Sequence, residues 1–253
     1  MKLENQLFLV TGGASGLGRS VVDALVQRHA FVVALDLNDI ELNALQQAHP
    51  EQVLTVVCDV CDEDSIQSAI EEAKRWKGQI RGLVNCAGII GAGKLVGRSG
   101  AYPLDAFKKV IDINLTGTVN TMRLVAADMA DNDLTDDEER GVIINTASIA
   151  AYDGQKGQIA YAASKGGIVS MTLPAARDLA SFGIRVNTIA PGIMATPMLM
   201  NADEKVLAPL LAVTQFPKRL GKPSEFADAV CFAITNTLLN GETMRLDGAI
   251  RMP

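Results

Sequence analysis

The sequence predicts an α/β protein built on a doubly wound parallel sheet of seven strands, with helices on both faces. Short apolar runs recur along the chain and alternate with helical stretches, which is the pattern of strands joined by helical crossovers. The first apolar run leads directly into a glycine-rich turn, a feature of strand–turn–helix units that bind nucleotides. The chain has 253 residues, 48% of them hydrophobic, so it can bury one large core. Because it has no internal repeat and no linker, we predict a single domain over residues 1–253.

Each predicted strand is a short apolar run, typical of parallel strands that are covered on both faces. The first, at residues 7–10, precedes an amphipathic stretch that extends from Val21 to Val26. The second, at residues 31–35, ends on Asp36. The remaining strands are predicted at residues 53–58, 82–86, 142–146, 184–189 and 243–246. Helical stretches separate these runs, which predicts a parallel sheet.

The turn after the first strand contains Gly12, Gly16 and Gly18. Its spacing is G-x-x-x-G-x-G, which differs from the common dinucleotide fingerprint, and glycine-rich turns also occur without a nucleotide. Such a turn lets backbone N–H groups approach a pyrophosphate at the positive end of the following helix. Asp36, eighteen residues after Gly18, ends the second strand where a carboxylate can bind a ribose diol. The pair of features favours a dinucleotide site.

Tyr161 and Lys165 are four residues apart, and Ser148 is thirteen residues before the tyrosine. On a helix, positions i and i+4 share a face, so the phenol and the ammonium are predicted to point into the same space. A neighbouring cation favours the phenolate, and we expect Lys165 to lower the pKa of Tyr161 toward the working range of a base. Most isolated pairs of this kind are solvated surface. With a serine hydroxyl beside them, they are equipped to move a proton on an alcohol or a carbonyl.

Together these features resemble the classical short-chain dehydrogenase/reductase family over essentially the whole chain. The motifs that carry the resemblance are Thr11-Gly12-x-x-x-Gly16-x-Gly18, Asn85-Cys86-Ala87-Gly88, Asn114, Ser148, Tyr161-x-x-x-Lys165 and Pro191-Gly192. One departure is Cys86, which replaces the second asparagine of the family's Asn-Asn-Ala-Gly motif. The resemblance implies a Rossmann fold and a catalytic tetrad of Asn114, Ser148, Tyr161 and Lys165, in which Asn114 holds a water of a proton relay.

The resemblance also implies a nicotinamide cofactor and the residues that bind it. These are Gly12, Ser15, Gly16, Leu17, Gly18, Asp36, Asp59, Val60, Asn85, Cys86, Ala87, Gly88, Tyr161, Lys165, Pro191, Met194 and Thr196. Ser148 and Tyr161 are the implied substrate-binding residues. Asp36 would repel the 2′-phosphate of NADP, and no basic residue stands at Ser15 or Leu37 to bind it. We therefore predict NAD as the cofactor.

Three segments, at residues 141–148, 164–169 and 245–252, resemble one branch of the family, the type-2 3-hydroxyacyl-CoA dehydrogenases, also called 17β-hydroxysteroid dehydrogenases type 10. So does the extra segment at residues 91–103. The branch implies oxidation of a 3-hydroxyacyl-CoA, or of 2-methyl-3-hydroxybutyryl-CoA, to the 3-oxoacyl-CoA.

Residues 193–200 and a helix predicted at 203–213 either line an acyl slot or form a plain amphipathic lid. The available cations for the CoA phosphates are Lys94, Arg98, Lys205 and Lys218.

Two further readings stay open within the same reaction class: a 3-oxoacyl thioester reductase and a broad alcohol or steroid dehydrogenase. A reading from another class is a scaffold or binding subunit on a dehydrogenase fold, because a fold alone does not secure a function. The complete tetrad argues against a loss of activity.

Composition excludes several other classes. The net charge is −6 and no basic stripe is present, so nucleic acid is not an expected partner. No apolar run approaches 18 residues and a strand begins at Leu7, so neither a membrane span nor a signal peptide is expected. Cys58 and Cys61 have C-x-x-C spacing but no second pair, so we expect no metal site.

The expected location is cytoplasmic, with reduced cysteines. The family resemblance implies a homotetramer that uses helices predicted at about 104–130 and 158–181. The acidic run from Asp131 to Glu139 is predicted to be a solvated loop.

Overall fold

Seven parallel strands form the central sheet of the computed structural model, which describes residues 1–98, 100–200 and 213–252. The described strands are β1 (Leu7–Thr11), β2 (Phe31–Asp36), β3 (Val53–Val57), β4 (Ile80–Asn85), β5 (Val96–Gly97), β6 (Gly100–Ala101), β7 (Gly141–Thr146), β8 (Ile184–Pro191) and β9 (Thr243–Leu246). Across the sheet the order is β3-β2-β1-β4-β7-β8-β9, and every neighbouring pair is parallel. Strands β5 and β6 pair with each other in a separate hairpin.

Helices cover both faces of this sheet. The described helices are α1 (Gly16–Val26), α2 (Asp39–Ala48), α3 (Glu63–Lys77), α4 (Leu104–Ile111), α5 (Gly117–Met129), α6 (Ile159–Leu179), α7 (Pro197–Met200) and α8 (Pro223–Thr235). Phe8 and Val10 of β1 pack on one face with α1, α2 and α8, whereas Leu7 and Leu9 pack on the other with α3, α5 and α6. Because successive residues of a strand point to opposite faces, burial of both faces requires the unbroken apolar runs seen in the sequence. The predicted doubly wound seven-stranded sheet is confirmed.

The observed strand bounds lie within two residues of the predicted ones, and those of β9 agree with the prediction. The helix predicted over 104–130, however, is interrupted. A π-helical turn at Asp112–Thr116 joins α4 to α5. Such turns widen the helix by one residue and are frequent at functional sites. This one contains Asn114. The second long helix agrees closely with its prediction, since α6 ends at Leu179 and a short 3₁₀ turn follows at Ala180–Phe182.

The prediction that the acidic run is entirely solvated is wrong at Glu139. This carboxylate is buried, and its Oε1 accepts a hydrogen bond of 2.7 Å from Nε of the buried Arg185. The guanidinium of Arg185 also donates to the carbonyl oxygens of Ala233 and Ile234 at the end of α8. A buried charge must be paired, so Glu139 neutralises the cation that fastens α8 to β8.

Two further predictions concern parts of the chain that the structure covers only partly. The helix predicted at 203–213 lies outside the described residues except for its last position. Among the described helices, none is both long and apolar enough to cross a bilayer.

Candidate active site

A cleft of about 1170 Å³ opens at the carboxyl ends of the central strands. The order of the sheet reverses between β1 and β4, and open α/β sheets bind their ligands at such a switch point. All the predicted cofactor and substrate residues line the described walls of this cleft except Asn85 and Asn114. The fold therefore brings together side chains that are up to about 180 residues apart in sequence.

The glycine-rich turn forms one wall and is shaped by main-chain contacts. Gly12 has φ of 64° and Gly16 has φ of 55°, a left-handed backbone that side chains other than glycine rarely adopt. A Cβ atom at Gly18 would lie 2.1 Å from the carbonyl oxygen of Gly12. The turn thus leaves an open cradle at the N-terminus of α1 that any larger residue would fill. A pyrophosphate fits this cradle, because the first N–H groups of α1 lack helical partners.

Asp36 is held at the far side of the turn by two backbone donors. Its Oδ2 accepts a hydrogen bond from the N–H of Ala14 at 3.1 Å, and its Oδ1 accepts one from the N–H of Asn38 at 3.1 Å. These bonds fix the carboxylate in a half-buried position on the cleft wall. Each oxygen keeps a second lone pair that can accept a ribose hydroxyl.

Asn85 lies behind the cleft wall and not in it. Its side chain donates to Oδ1 of Asn145 at 2.9 Å and accepts from the hydroxyl of Thr121 at 2.8 Å. The neighbouring Thr11 hydroxyl accepts from the N–H groups of Cys86 and Ala87, each at 3.1 Å. This buried polar network fixes the backbone that follows β4, and that backbone forms the cleft wall. The structure therefore places Asn85 as a support for the predicted cofactor residues next to it.

Asp59 and Val60, two of the predicted cofactor-binding residues, lie just beyond β3. Oδ1 of Asp59 accepts from the N–H of Cys61 at 2.9 Å, while Val60 is buried and its carbonyl accepts from the side chain of Asn120. Cys58 also lines this end of the cleft.

Burial raises the pKa of Cys61 to about 11, so this thiol is protonated at neutral pH. Within the described residues, no group of three or more potential ligands is arranged to hold a metal.

The opposite end of the cleft is formed by the segment after β8. Pro191, Met194 and Thr196 line it, and Met194 is buried. The N–H of Thr196 donates to the carbonyl of Met194 at 2.8 Å, which folds the segment back toward Gly16. A Cβ atom at Gly16 would lie 3.7 Å from the Thr196 side chain. The two ends of the predicted cofactor site therefore meet over the glycine turn.

Ser148, Tyr161 and Lys165 converge on the same cleft from two elements. Ser148 follows β7, where its Oγ accepts from the N–H of Ala150 at 3.1 Å. Tyr161 and Lys165 lie one turn apart on α6, with Nζ of the lysine 5.8 Å from the centroid of the tyrosine ring. Nζ of Lys165 donates to the carbonyl oxygen of Thr146 at 2.7 Å. The expected shared face of the helix is present.

The pKa of Tyr161 moves in the direction opposite to the one expected from the sequence. Burial raises the pKa of its phenol, and the hydrogen bond with Ser148 lowers it only in part. Burial also lowers the pKa of Lys165, to about 8. A low-dielectric site disfavours the charged form of both groups. Ser148 acts against this effect at Tyr161, because it lowers the pKa of the phenol.

Asn114 is buried at the π-helical turn and does not line the described cleft. Its side chain accepts from the N–H of Ile89 at 2.8 Å and donates to the carbonyl of Ile89 at 2.9 Å. It also donates to the hydroxyl of Ser164 at 3.1 Å. These three bonds tie the loop after β4 to α6, beside Lys165. The side chain therefore positions the lysine's helix, and its predicted water-holding role stays a prediction.

Several residues of the cleft were missed by the sequence analysis. Thr146 anchors Lys165, while Gln155 and Gln158 line the wall between Ser148 and Tyr161. Lys108 and Lys109 of α4 line it as well. A polar residue at the end of the apolar strand β7 was a usable signal for Thr146. Nothing in the sequence distinguished these glutamines and lysines from ordinary surface residues.

The cations predicted for CoA phosphates do not gather at the cleft. Lys94 lines a second, smaller cavity beside it. Arg98 and Lys218 are exposed and line neither of these two cavities. Lys205 lies outside the described residues.

Comparisons with known proteins point to one family. The family model described as short chain dehydrogenase matches residues 6–207. The 3-hydroxyacyl-CoA dehydrogenase type-2 of Homo sapiens is 48% identical over 246 residues, covering 96% of this chain and 94% of that relative. Its namesake in Drosophila melanogaster is 46% identical over 99% of both chains. The crystal structure of 3-hydroxyacyl-CoA dehydrogenase type-2 from Mycobacterium avium superposes with a TM-score of 0.94 at 44% identity, over 100% of this chain and 99% of that one.

Proposed function

The chain belongs to the short-chain dehydrogenase family, and we propose that it oxidises the hydroxyl of a 3-hydroxyacyl-CoA to the 3-oxoacyl-CoA with NAD as the acceptor. The observation that carries the proposal is the convergence of Ser148, Tyr161 and Lys165 on one cleft with the glycine turn and Asp36. The similarity over nearly the full length to relatives named 3-hydroxyacyl-CoA dehydrogenase type-2 supports the acyl-CoA as the substrate. 2-Methyl-3-hydroxybutyryl-CoA belongs to the same substrate class.

Tyr161 acts as the general base in this reaction. Its phenol and the Ser148 hydroxyl both line the cleft, and Ser148 lowers the pKa of the phenol, so the substrate hydroxyl can be held by both oxygens at once. Ser148 donates to the substrate oxygen as negative charge develops on it, and Tyr161 receives the proton. NAD, when bound, supplies the acceptor for the hydride that leaves the same carbon. The products are the ketone, the reduced cofactor and one proton.

Lys165 serves the reaction as a cation beside the base. Its ammonium is buried, donates to the carbonyl of Thr146 and retains two further donors. These donors are free to bind the nicotinamide ribose and to pass the proton of Tyr161 onward to solvent. Asn114 acts in the same relay by holding a water next to the lysine.

Asp36 selects NAD over NADP. Its two oxygens, oriented by Ala14 and Asn38, accept the two hydroxyls of the adenosine ribose. A 2′-phosphate in the same place would meet the carboxylate charge at close range. The residues of the cradle thus fit a dinucleotide without a 2′-phosphate.

A substrate panel tests this proposal. NAD reduction by the purified chain is followed with 3-hydroxybutyryl-CoA, 2-methyl-3-hydroxybutyryl-CoA, simple secondary alcohols and a 17β-hydroxysteroid. We expect the highest kcat/KM with the two thioesters. Oxidation of the alcohols or the steroid with no activity on either thioester would overturn the acyl-CoA assignment and favour a broad alcohol or steroid dehydrogenase. A strong preference for NADPH and the 3-oxoacyl thioester would favour a reductase.

The assembly that we propose is a homotetramer, built partly from α4, α5 and α6. Leu104 of α4 and Leu173 of α6 are large apolar side chains that are exposed in the single chain, as an interface would require. Light scattering at micromolar concentration should report four chains, and a monomer would contradict the proposal. The cytoplasmic location stays a prediction.

A further inference from the structure

A second cavity of about 570 Å³ lies next to the candidate active site. Its described walls come from the segment after β4, at residues 93–96, and from the turn before α6, at residues 154–159. Gln155 and Gln158 line both this cavity and the main cleft. The two spaces are therefore neighbours that share one wall, and a long ligand can occupy both.

The second cavity carries unneutralised positive charge. Lys94 lines it from one side and Lys156 from the other, and both side chains are exposed. Neither lysine forms an ion pair with any residue that the structure describes. Asp153, the acidic residue nearest to Lys156 in sequence, forms an ion pair with Arg245 at 2.7 Å. Although the net charge of the chain is −6, these two lysines make the cavity locally positive, so it can attract an anion.

Main-chain contacts hold the two lysine-bearing segments together. The N–H of Gly93 donates to the carbonyl of Gly157 at 2.8 Å, and Gly93 also pairs with Gln158 in a β-bridge. A Cβ atom at Gly93 would lie 2.2 Å from the ring of Tyr102, so this ring packs directly on the backbone. The N–H of Gln155 donates to Oε1 of Gln158 at 3.0 Å. The lysines thus project from a rigid frame, which reduces the entropy lost when a ligand binds.

We propose that this cavity binds the phosphate-bearing end of coenzyme A, through Lys94 and Lys156. The proposal rests on the acyl-CoA assignment made above. The pantetheine arm crosses the shared wall at Gln155 and Gln158, whose amides can hydrogen-bond its peptide-like groups, and places the hydroxyacyl group beside Tyr161. Coenzyme A carries a diphosphate and a 3′-phosphate, and the two lysines that line the cavity complement that charge. The second cavity then makes the enzyme prefer a CoA thioester over a short thioester with the same acyl group.

The test compares two substrates that share an acyl group and differ in its carrier. One is 3-hydroxybutyryl-CoA and the other is the pantetheine thioester of 3-hydroxybutyrate, a short thioester that keeps the pantetheine arm but lacks the nucleotide. With saturating NAD, the Lys94→Ala/Lys156→Ala variant should show a KM for the CoA thioester raised about tenfold, the scale of two partly exposed charge contacts. Its kcat, and its KM for the short thioester, should not change. Lys2→Ala, which removes an exposed lysine outside both cavities, is the matched control and should leave the kinetics with both substrates unchanged.

A direct binding measurement keeps the inference separate from the proposed reaction. Calorimetric titration of the NADH-loaded enzyme with free coenzyme A should show about tenfold weaker binding in the double variant, whereas pantetheine should bind both proteins alike. The conservative Lys94→Arg/Lys156→Arg variant should restore binding of coenzyme A. Unchanged affinity in the alanine variant, or an equal loss for coenzyme A and pantetheine, would overturn the inference. Tight, lysine-dependent binding of coenzyme A without oxidation of either thioester would instead contradict the proposed reaction while supporting this cavity.

Discussion

The two sides of the cleft are built in different ways. The cofactor side, at residues 11–18, 36 and 85–88, is shaped by main-chain contacts such as the approach of Gly18 to the carbonyl of Gly12. The substrate side, at residues 89–98, 100–103 and 149–158, consists of loops, the β5–β6 hairpin and a short 3₁₀ turn, and its Lys94 and Lys156 are exposed. A change on the cofactor side therefore disturbs the backbone that all turnover needs. A change on the substrate side should alter only which substrate is held.

The largest effect is expected at Tyr161, where the two sides meet. Tyr161→Phe removes only the titrating oxygen, so turnover should fall by roughly 100-fold or more, the scale on which general-base catalysis contributes. The fold and the affinity for NAD should be retained, as measured by circular dichroism and by NADH fluorescence titration. Tyr152→Phe is the matched control, because this half-exposed ring stacks on Arg245 and lies outside the described cleft walls. Near-normal turnover in Tyr161→Phe would show that Tyr161 is not the general base.

The next effect tests the backbone construction of the cofactor side. Gly18→Ala places a Cβ atom 2.1 Å from a main-chain oxygen that cannot rotate away. We expect the free energy of unfolding to fall by about 1–3 kcal/mol, the usual cost of overpacking, together with a raised KM for NAD. Gly166→Ala is the control, since a Cβ atom there meets nothing within 4 Å and the position lies inside α6. Its free energy of unfolding, measured by urea denaturation, should rise by about 0.5–1 kcal/mol. Equal free energies of unfolding and equal KM for NAD in both variants would show that close main-chain packing at Gly18 does not shape the cofactor side.

A smaller effect concerns the choice of cofactor. The wild type should prefer NAD over NADP by at least about tenfold in kcat/KM, which needs roughly 1.4 kcal/mol of discrimination. Asp36→Asn keeps the size of the side chain but removes its charge. The ratio of kcat/KM with NAD to kcat/KM with NADP should therefore fall, because kcat/KM with NADP rises. Asp39→Asn changes a carboxylate of α2 that lies outside the described cleft walls, and its ratio should stay at the wild-type value. Equal efficiency of the wild type with both cofactors would contradict the role of Asp36.

The last prediction is the pH dependence of the wild type. As the proposed base, Tyr161 must be a phenolate for oxidation, and burial raises the pKa of this group above its ordinary value. The active fraction therefore grows as pH rises from neutral into the alkaline range, and kcat/KM for oxidation should rise with it, by up to about tenfold per pH unit. Reduction of the 3-oxo thioester needs the phenol and should fall over the same range. Ser148→Ala removes the one hydrogen bond that lowers the pKa of Tyr161, so its oxidation profile should shift to higher pH. A profile that is flat in both directions would sink this assignment.

The sheet and the cofactor side were predictable because their signals are local. Strands buried on both faces must be apolar throughout, and a glycine turn that packs backbone on backbone must contain glycine. These constraints act on residue types at fixed spacings, which a sequence displays directly. The same holds for Tyr161 and Lys165, whose spacing on a helix places them on one face.

The remainder depends on contacts between distant residues. The burial of Glu139 follows from Arg185, which lies 46 residues further along the chain. The raised pKa of Tyr161 follows from desolvation, which no local pattern reports. The β5–β6 hairpin is too short and too exposed to leave an apolar signature. Lys156 differs from other surface lysines because the fold places it in the lining of the same cavity as Lys94.

We propose that one cleft joins a cofactor side that binds NAD to a substrate side that presents a 3-hydroxyacyl-CoA to Tyr161. The most direct test is the initial rate of NAD reduction by the purified wild type with 3-hydroxybutyryl-CoA, measured beside Tyr161→Phe at equal concentration. We expect rapid reduction by the wild type and a rate lower by roughly 100-fold in the variant. No reduction by the folded wild type, or equal rates in the two proteins, would contradict it.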